Sequence, residues 1–461
     1  MATEEIKTMH VVMFPWLAMG HLLPFLRLSK LLARKGHRIS FVSTPRNISR
    51  LPKLPPDLTT MITFVPFTLP PVSGLPLDAE SSMDVPYNTQ QRLKAAFDLL
   101  QIPVTEFLRR SSPEWVVYDY ASHWLPKIAA EIGVSKAYFS IFNAASMCFF
   151  GPPEELIADS RTSPEDFTVV PTWVPFESDI AFRIHEITKY VEKTEEDETG
   201  VSDAVRFGYS IGESDAVLVR SCPEFEPEWF GLLLDLYGKP VVPTGFLPLV
   251  MEEEVFVENN DEDTTWIGIK KWLDEQRVNS VVYVALGTEA RVTRKELGEM
   301  ALGLEKSALP FFWVLRNESK LPDGYMERVK GRGLVHFGWV PQVKILSHDS
   351  VGGFVTHCGW SSVIEGLGLG RVPILFPVVN DQGLNARLLQ GKGLGVEIPR
   401  DERDGSFSCD SVADSIRSAM ADESDEPVRA KVKEMKSLFG NKDTDMRHVD
   451  ELVRYLSDKA R

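Results

Sequence analysis

The chain has 461 residues, 43% of them hydrophobic and 25% charged, which is the composition of an average soluble protein with more than one core. This composition excludes a disordered, a collagen-like and a disulfide-scaffold protein. A net charge of −16 opposes nucleic acid and anionic membrane surfaces, so we expect neither as a partner. No apolar run is long enough to span a bilayer and the start is acidic, so we expect a soluble cytoplasmic protein. Four scattered cysteines without C-x-x-C spacing indicate reduced thiols and no zinc site: Cys148, Cys222, Cys358 and Cys409.

The first elements form a strand–loop–helix–strand unit. Val11–Phe14 predicts a strand, 15–20 a loop, His21–Lys35 a helix and Ile39–Val42 the next strand. Short apolar runs alternate with amphipathic stretches through the chain, which predicts an α/β fold with parallel sheets. Further on, Trp115-Val-Val-Tyr-Asp119 predicts an apolar strand that ends in a carboxylate.

The same layout returns at Val281, where a strand is followed by a Thr293-Arg-Lys-Glu296 capping box and a strand at Phe311–Leu315. This repeat of the layout predicts two Rossmann-like halves, and we expect domains at 1–247 and 248–440. The acidic run 251–265 predicts a linker or surface loop, in which Asp261-Glu-Asp263 matches a D-x-D metal–sugar motif; a solvated loop is the favoured interpretation. Four apolar residues share one face of a last helix in 441–461, which predicts that this helix packs on a domain: Val449, Leu452, Val453 and Leu456. The pattern does not say on which domain it packs, and the first domain is the candidate.

The segment 339–382 carries the most information about function. A strand at 353–356, a tight loop at 357–360 and a helix opening at Ser362–Glu365 together predict a phosphate-binding helix N-terminus. His357 and the Ser362 hydroxyl would add hydrogen-bond donors, although Ser362 and Glu365 also match a purely structural capping box. Two loop tryptophans and a paired Asp381-Gln382 make the whole segment typical of a nucleotide-sugar site.

His21 is the candidate general base, because an imidazole at a helix start stays neutral and suits proton abstraction. A surface histidine at a helix start is the alternative interpretation. Asp119 is the candidate orienting acid. The sequence alone cannot place these two residues together, since 98 residues separate them.

The 44 residues from Trp339 to Gln382 resemble the signature box of plant family-1 UDP-glycosyltransferases. They contain Trp-Val-Pro-Gln at 339–342 and Thr-His-Cys-Gly-Trp-Ser-Ser-Val-Ile-Glu at 356–365, and they end in Asp-Gln. The opening at 15–21 and the strand at 281–287 are similar to that family too. The resemblance implies the GT-B fold, in which two Rossmann-like domains with parallel sheets face each other across a cleft, with the donor held by the C-terminal domain and the acceptor by the N-terminal one.

Site residues follow from the same resemblance. Trp339 would stack on uracil, Gln342 would lie beside the ribose and base, and Glu365 would hold the ribose. The diphosphate would be bound at His357, Gly359, Ser362 and Thr288, and the sugar at Trp360, Asp381 and Gln382. Ser361 departs from the asparagine usual in the family, so one diphosphate contact is put in doubt. The resemblance further implies UDP-glucose as co-substrate, no metal, and inverting transfer with His21 as base and Asp119 as its partner.

The acceptor is the open question. The Trp16–His21 opening is similar to the branch that extends sugar chains on small-molecule glycosides, but a lipophilic aglycone or foreign compound is an alternative. An aromatic-rich first half suits such an acceptor, or else forms core: Phe14, Trp16, Trp124, Phe139, Phe142, Phe149 and Phe150. His123 is a candidate for the acceptor pocket, and we expect structural roles for the histidines other than His21, His123 and His357. We expect the protein to be a monomer. UDP-rhamnose as donor and a non-catalytic nucleotide-sugar-binding protein stay as alternatives; a nicotinamide dehydrogenase and a serine hydrolase lack their motifs.

Overall fold

A computed structural model describes residues 8–191, 199–247, 260–287, 292–316, 321–421 and 427–460. Its first sheet has seven parallel strands in the order β3-β2-β1-β4-β5-β6-β7. The strands are β1 His10–Phe14, β2 Arg38–Ser43, β3 Ile62–Pro66, β4 Trp115–Tyr118, β5 Ser135–Ser140, β6 Ala216–Val219 and β7 Val241–Pro243.

The second sheet has six parallel strands in the order β10-β9-β8-β11-β12-β13. These are β8 Val281–Ala285, β9 Phe311–Leu315, β10 Gly333–Phe337, β11 Val351–Thr356, β12 Val372–Leu375 and β13 Val396–Glu397. The predicted GT-B architecture of two parallel, Rossmann-like sheets is confirmed.

Helices connect the strands within each half. Those up to β7 are α1 Met19–Arg34, α2 Pro45–Arg50, α3 Gln90–Asp98, α4 Gln101–Ser111, α5 Leu125–Ile132, α6 Ala144–Phe150, α7 Pro153–Ala158, α8 Ile184–Val191, α9 Asp203–Gly212 and α10 Pro227–Tyr237. Those after β7 are α11 Asn260–Asp274, α12 Arg294–Ser307, α13 Tyr325–Arg328, α14 Gln342–Ser347, α15 Trp360–Gly368, α16 Gln382–Gly391, α17 Cys409–Met420, α18 Pro427–Phe439 and α19 Lys442–Lys459.

Both sheets reverse their strand order at one point, between β1 and β4 in the first sheet and between β8 and β11 in the second. The loops that leave the carboxyl ends of such neighbouring strands diverge, and the crevice between them is where α/β proteins bind ligands. The first crevice therefore lies between the loops after Phe14 and Tyr118, and the second between those after Ala285 and Thr356.

The central strands of both sheets are buried because helices cover both faces of each sheet, whereas the edge strands β3, β7 and β10 are partly exposed. Along β1, Val12 and Phe14 point into one apolar cluster while Val11 and Met13 point into another. The first of these clusters is continuous with apolar residues of the second half, so the two halves share a core at their contact. The second cluster contains the predicted face of α19, and the Trp115 indole N–H donates to the Leu456 carbonyl oxygen at 2.9 Å.

Several element boundaries differ from the prediction. Helix α1 begins at Met19, so Gly20 lies in its first turn instead of in a loop. Helix α11 begins at Asn260, so the end of the acidic run, including 261–263, is helical; residues 251–259 lie outside the described residues. The Thr293–Glu296 capping box is confirmed. All four cysteines are free thiols, as expected.

Candidate functional site

His21 and Asp119 meet in the first crevice. Strands β1 and β4 are paired neighbours, with Phe14 opposite Tyr118, so the loops that follow them start side by side. The Asp119 carboxylate, 2% exposed, accepts hydrogen bonds from the Trp16 N–H at 2.7 Å and from the Ala121 N–H at 3.3 Å. Its Oδ2 also lies 2.8 Å from His21 Nδ1.

This arrangement fixes the tautomer of the imidazole. An ionised carboxylate only accepts, so His21 Nδ1 must carry a proton and donate it to Asp119. In the neutral ring Nε2 then keeps its lone pair and can accept a proton. The surface-histidine alternative does not describe this contact, since the side chain of His21 is 13% exposed and bonded to a buried acid.

Four half-buried aromatic residues form a wall beside His21, hereafter the aromatic wall. The rings of Tyr120 and Phe142 lie 5.8 and 6.3 Å from the imidazole, centroid to centroid. Phe207 stacks on Tyr120 at 4.6 Å and lies 5.4 Å from Phe150. These rings give the crevice an apolar side, which suits a lipophilic acceptor.

The seven aromatic residues that the sequence singled out divide into four core residues, two residues of the aromatic wall, and Trp124, which belongs to neither group. Four are core residues at 3% exposure or less: Phe14, Trp16, Phe139 and Phe149. Phe142 and Phe150 belong to the aromatic wall, and the Trp124 indole N–H donates to Asp98. His123 lies 3.1 Å from Arg206 Nη1, with Asp98 as the next charged neighbour. Tyr120 and Phe207 were missed, although Tyr120 directly follows Asp119 in the chain.

His357 occupies a narrow space at the second crevice. A Cβ added at Gly287 or Gly359 would lie 2.6 Å from its ring, so only glycine fits at either position. Burial lowers the pKa of His357 to about 4, so the ring is neutral near pH 7. Its buried Nδ1 makes no hydrogen bond to any described residue. Next to it, Cys358 adopts a left-handed φ of 66°, and such strain is concentrated at functional sites.

Helix α15 begins at Trp360, two residues earlier than predicted, with Gly359 as its N-cap. Ser362 and Glu365 consequently lie inside the helix and form no capping box, so that alternative is wrong. Trp360 was expected in a loop; instead its indole is 4% exposed and donates to the Arg220 carbonyl oxygen at 2.7 Å. Because the indole is used in this way, Trp360 can offer a ligand its backbone N–H at the start of the helix.

The residues expected around the nucleoside lie together. Gln342 Nε2 donates to Glu365 Oε2 at 2.8 Å and lies 3.4 Å from the Ser362 hydroxyl oxygen. The Tyr283 hydroxyl donates to Gln342 Oε1 at 3.4 Å. Trp339 precedes this group in the loop after β10, with half of its surface exposed, as a stacking platform requires. Arg27 of α1, which the sequence did not indicate, lies 3.6 Å from Glu365 Oε1.

Asp381 and Gln382 begin α16. Gln382 Oε1 accepts from the backbone N–H groups of Val378 and Val379, which closes the preceding turn. Asp381 Oδ2 accepts from Asn385 Nδ2 at 2.7 Å, and Asn143 of the first half donates to Asn385 Oδ1 at 2.6 Å. Burial raises the pKa of Asp381 to about 6, against the hydrogen bond from Asn385, which lowers it.

Thr288 lies outside the described residues. Of the other predicted site residues, His21 and Asp119 lie at the first crevice, and those from His357 to Glu365 lie at the second or on helix α15, which begins there. The remaining four follow other strands of the second sheet, Trp339 and Gln342 after β10 and Asp381 and Gln382 after β12. Each crevice supplies what the other lacks: the first has an oriented imidazole and apolar walls, and the second has a helix N-terminus, a neutral buried histidine and paired polar side chains.

Comparison with known proteins identifies the family. A family model described as UDP-glucoronosyl and UDP-glucosyl transferase matches residues 263–434, and a model of the glycosyltransferase N-terminal domain matches residues 7–202. UDP-glycosyltransferase 91C1 of Arabidopsis thaliana is 72% identical over 460 residues, covering 100% of this chain and 99% of the relative. The chain belongs to the plant UDP-glycosyltransferases.

Further relatives are similar to this glycosyltransferase over almost their whole length. UDP-glycosyltransferase 91D2 of Stevia rebaudiana is 43% identical, covering 99% of this chain and 97% of the relative. Soyasaponin III rhamnosyltransferase of Glycine max is 39% identical, covering 97% of this chain and 95% of the relative. Among solved structures, Glycyrrhiza uralensis UGT73P12 has the same fold with a TM-score of 0.80 at 22% identity, covering 98% of this chain and 96% of that one.

Two further features of the glycosyltransferase concern metals and membranes. In the described part of the chain, one group of three side chains has ligand atoms within 4.8 Å of one another: Cys222, Glu224 and His448. Glu224 is already paired with Arg447 and His448, so this group joins α19 to the segment after β6. None of the described helices combines the length and the apolar character needed to cross a membrane.

Proposed function

We propose that this enzyme moves glucose, with inversion, from UDP-glucose to a hydroxyl of a small lipophilic plant metabolite, xenobiotic or glycoside, with His21 as general base. The observation that carries the proposal is the 2.8 Å contact between His21 Nδ1 and buried Asp119 at the switch point of the acceptor-side sheet. Asn143 of the acceptor-side half donates to Asn385, which in turn donates to Asp381 on the donor-side helix α16, and this link supports a single reaction cleft between the two sheets.

The donor half suits a nucleoside diphosphate sugar. Trp339 would stack on uracil, while the Gln342 and Glu365 side chains, 2.8 Å apart, would take the ribose. The start of α15 offers unpaired backbone N–H groups and the positive end of a helix dipole to the diphosphate. Ser361, Ser362 and neutral His357, whose Nδ1 has no partner among the described residues, would add donors there. Asp381 and Gln382 would hold the sugar.

The reaction would be a direct displacement. The acceptor oxygen attacks the anomeric carbon as its proton passes to His21 Nε2, and the bond from that carbon to the diphosphate oxygen breaks with its electron pair on UDP. Asp119 stabilises the imidazolium that forms. Helix α15 and the donors around it stabilise the charge that develops on the leaving UDP. Attack from the side opposite UDP turns an α-linked donor into a β-glycoside.

A second candidate is transfer of rhamnose to a sugar already attached to the acceptor. Relatives named as a soyasaponin III rhamnosyltransferase and as an anthocyanidin-3-O-glucoside rhamnosyltransferase, 39% and 33% identical, favour it. The aromatic wall suits the aglycone part of either acceptor class. Gln382, the last residue of the signature box, favours glucose, since a final glutamine is associated with glucose donors in the family.

The test is product mass spectrometry with UDP-glucose and UDP-rhamnose, each offered with flavonoid and terpenoid aglycones and their monoglucosides. A hexose added from UDP-glucose supports the first proposal, and addition to monoglucosides only makes the enzyme a chain extender. A deoxyhexose added to monoglucosides alone supports the second candidate. Full UDP binding without any product would overturn both in favour of a non-catalytic nucleotide-sugar-binding protein. The His21→Ala variant is the matched control.

A further inference from the structure

Arg220 is a buried cation at the contact between the two halves. It follows β6 directly, is 1% exposed, and its backbone N–H donates to the Ser140 carbonyl oxygen at 3.1 Å. Its side-chain Nε donates to the Phe246 carbonyl oxygen, also at 3.1 Å. A buried guanidinium is costly unless its donors are used, so these bonds fix both where the side chain lies and where its other donors point.

Both the backbone and the side chain of Arg220 reach the first turn of α15. Its carbonyl oxygen accepts from the Trp360 indole N–H at 2.7 Å. Its Nη1 donates to the Ser361 hydroxyl oxygen at 2.6 Å, a contact between residues 141 positions apart. One residue of the acceptor-side half thus holds the two residues with which the donor-side helix begins.

The contact decides what the Ser361 hydroxyl can do. A guanidinium only donates, so the hydroxyl oxygen must accept from Arg220 and its own proton must be donated elsewhere. Ser361 is half-buried, with Arg220 on the protein side, which leaves the open side at the start of α15 for that proton. A hydrogen bond from a charged donor also polarises the hydroxyl and makes it a better donor in turn.

We propose that Arg220 is a positioning residue for donor binding, which turns the Ser361 hydroxyl into an obligate hydrogen-bond donor to the diphosphate of the UDP-sugar. The inference rests on the proposed function, because it takes the diphosphate to bind at the start of α15. It also accounts for the departure from the family pattern at this position. A serine is shorter than the usual asparagine, and the cation behind it supplies orientation and polarisation that a carboxamide does not need.

Calorimetric dissociation constants of the full chain for UDP and for uridine test the inference, since uridine lacks the diphosphate. We expect Ser361→Ala and Arg220→Met each to weaken UDP binding roughly 10-fold to 100-fold, the size of one hydrogen bond to a charged group, with uridine binding unchanged within about twofold. The double variant should bind UDP no more weakly than the weaker single variant, because both changes remove the same donor. In a Ser361→Asn background, Arg220→Met should leave UDP affinity unchanged.

Three results would overturn the inference: Ser361→Ala binding UDP like the wild type, additive losses in the double variant, or equal losses for UDP and uridine. The last would mean that Arg220 only supports the fold. Ser361→Ala keeps the test decisive if Arg220→Met does not fold, because it leaves the buried cation in place. Failure of the proposed function is distinguishable, since it would appear in the wild-type chain itself, as absent UDP binding or as UDP binding without product, whereas failure of the inference appears only in the UDP affinities of the variants.

Discussion

Asp119→Asn removes the negative charge beside His21 while keeping the size of the side chain. A general base must start neutral, so in the proposed reaction His21 becomes an imidazolium as it takes the acceptor proton. The attraction between Asp119 and that cation is therefore gained in the transition state and lowers the barrier to transfer. Asp119 is 2% exposed and its Oδ2 lies 2.8 Å from Nδ1, so water screens the pair little.

The expected loss follows from Coulomb's law. With charge centres about 4 Å apart and an effective dielectric constant of about 20, the attraction is worth about 4 kcal/mol. That corresponds to a kcat about a thousandfold lower, since each 1.36 kcal/mol is about tenfold in rate. The dissociation constant for UDP should not change, because Asp119 belongs to the acceptor-side sheet. UDP release under saturating donor and acceptor measures kcat, and calorimetry measures UDP binding.

The Asp78→Asn variant is a matched control, because the Asp78 side chain is 84% exposed and lies 3.5 Å from Arg46 instead of a histidine. It should retain wild-type kcat. An Asp119→Asn enzyme within tenfold of wild-type kcat would refute the role assigned to the charge. A loss of UDP binding equal to the loss of kcat would refute it too, since the variant would then be damaged as a whole.

Four further predictions follow from the same structure. Trp339→Ala should weaken binding of UDP and uridine alike by roughly 5-fold to 100-fold, the worth of one stacked base, and Trp339→Phe should restore part of it in the same calorimetric titration. Because burial raises the pKa of Asp381 to about 6, its carboxylate is protonated as the pH falls below that value, so UDP-glucose binding should weaken there; an Asp381→Asn variant should bind more weakly but without this pH dependence. Gly287→Ala would place a Cβ 2.6 Å from the His357 ring at a φ of 75°, which should weaken UDP binding and destabilise the fold by roughly 1–3 kcal/mol in thermal unfolding, and unchanged values of both would contradict the tight fit. Leu452→Ala, at a fully buried position of α19, should cost about 2–5 kcal/mol and lower the melting temperature without changing the UDP affinity of the molecules that remain folded.

The strands and the position of the donor segment are readable from the sequence, because each is a local pattern. Val281–Ala285 and Phe311–Leu315 are short apolar runs bounded by turn residues, and such runs predict buried parallel strands whatever lies elsewhere in the chain. The strand at Trp115 ending in Asp119 is of the same kind. What the local pattern does not contain is strand order, and only the neighbouring positions of β1 and β4 bring Asp119 to His21.

The start of α15 shows where local reasoning fails. The Ser-x-x-Glu spacing at 362–365 predicts a helix start there, yet the helix begins at Trp360. The indole is buried between the halves and is anchored by Arg220, so long-range packing decides the boundary over the local capping signal. Arg220 and Asn143 were missed for the same reason. Their partners are 141 and 242 residues away in the chain, and no spacing in a single sequence reports such a contact.

The central claim is that His21 takes the proton from the acceptor hydroxyl, and His21→Ala tests it most directly. The measurement is the rate of product formation from UDP-glucose and the best acceptor, with the UDP dissociation constant determined on the same preparation. We predict that the rate of product formation falls by about 10²-fold to 10⁴-fold, which is the contribution of a positioned general base. The UDP dissociation constant should stay at the wild-type value. Turnover within tenfold of wild type in the His21→Ala enzyme would contradict the account.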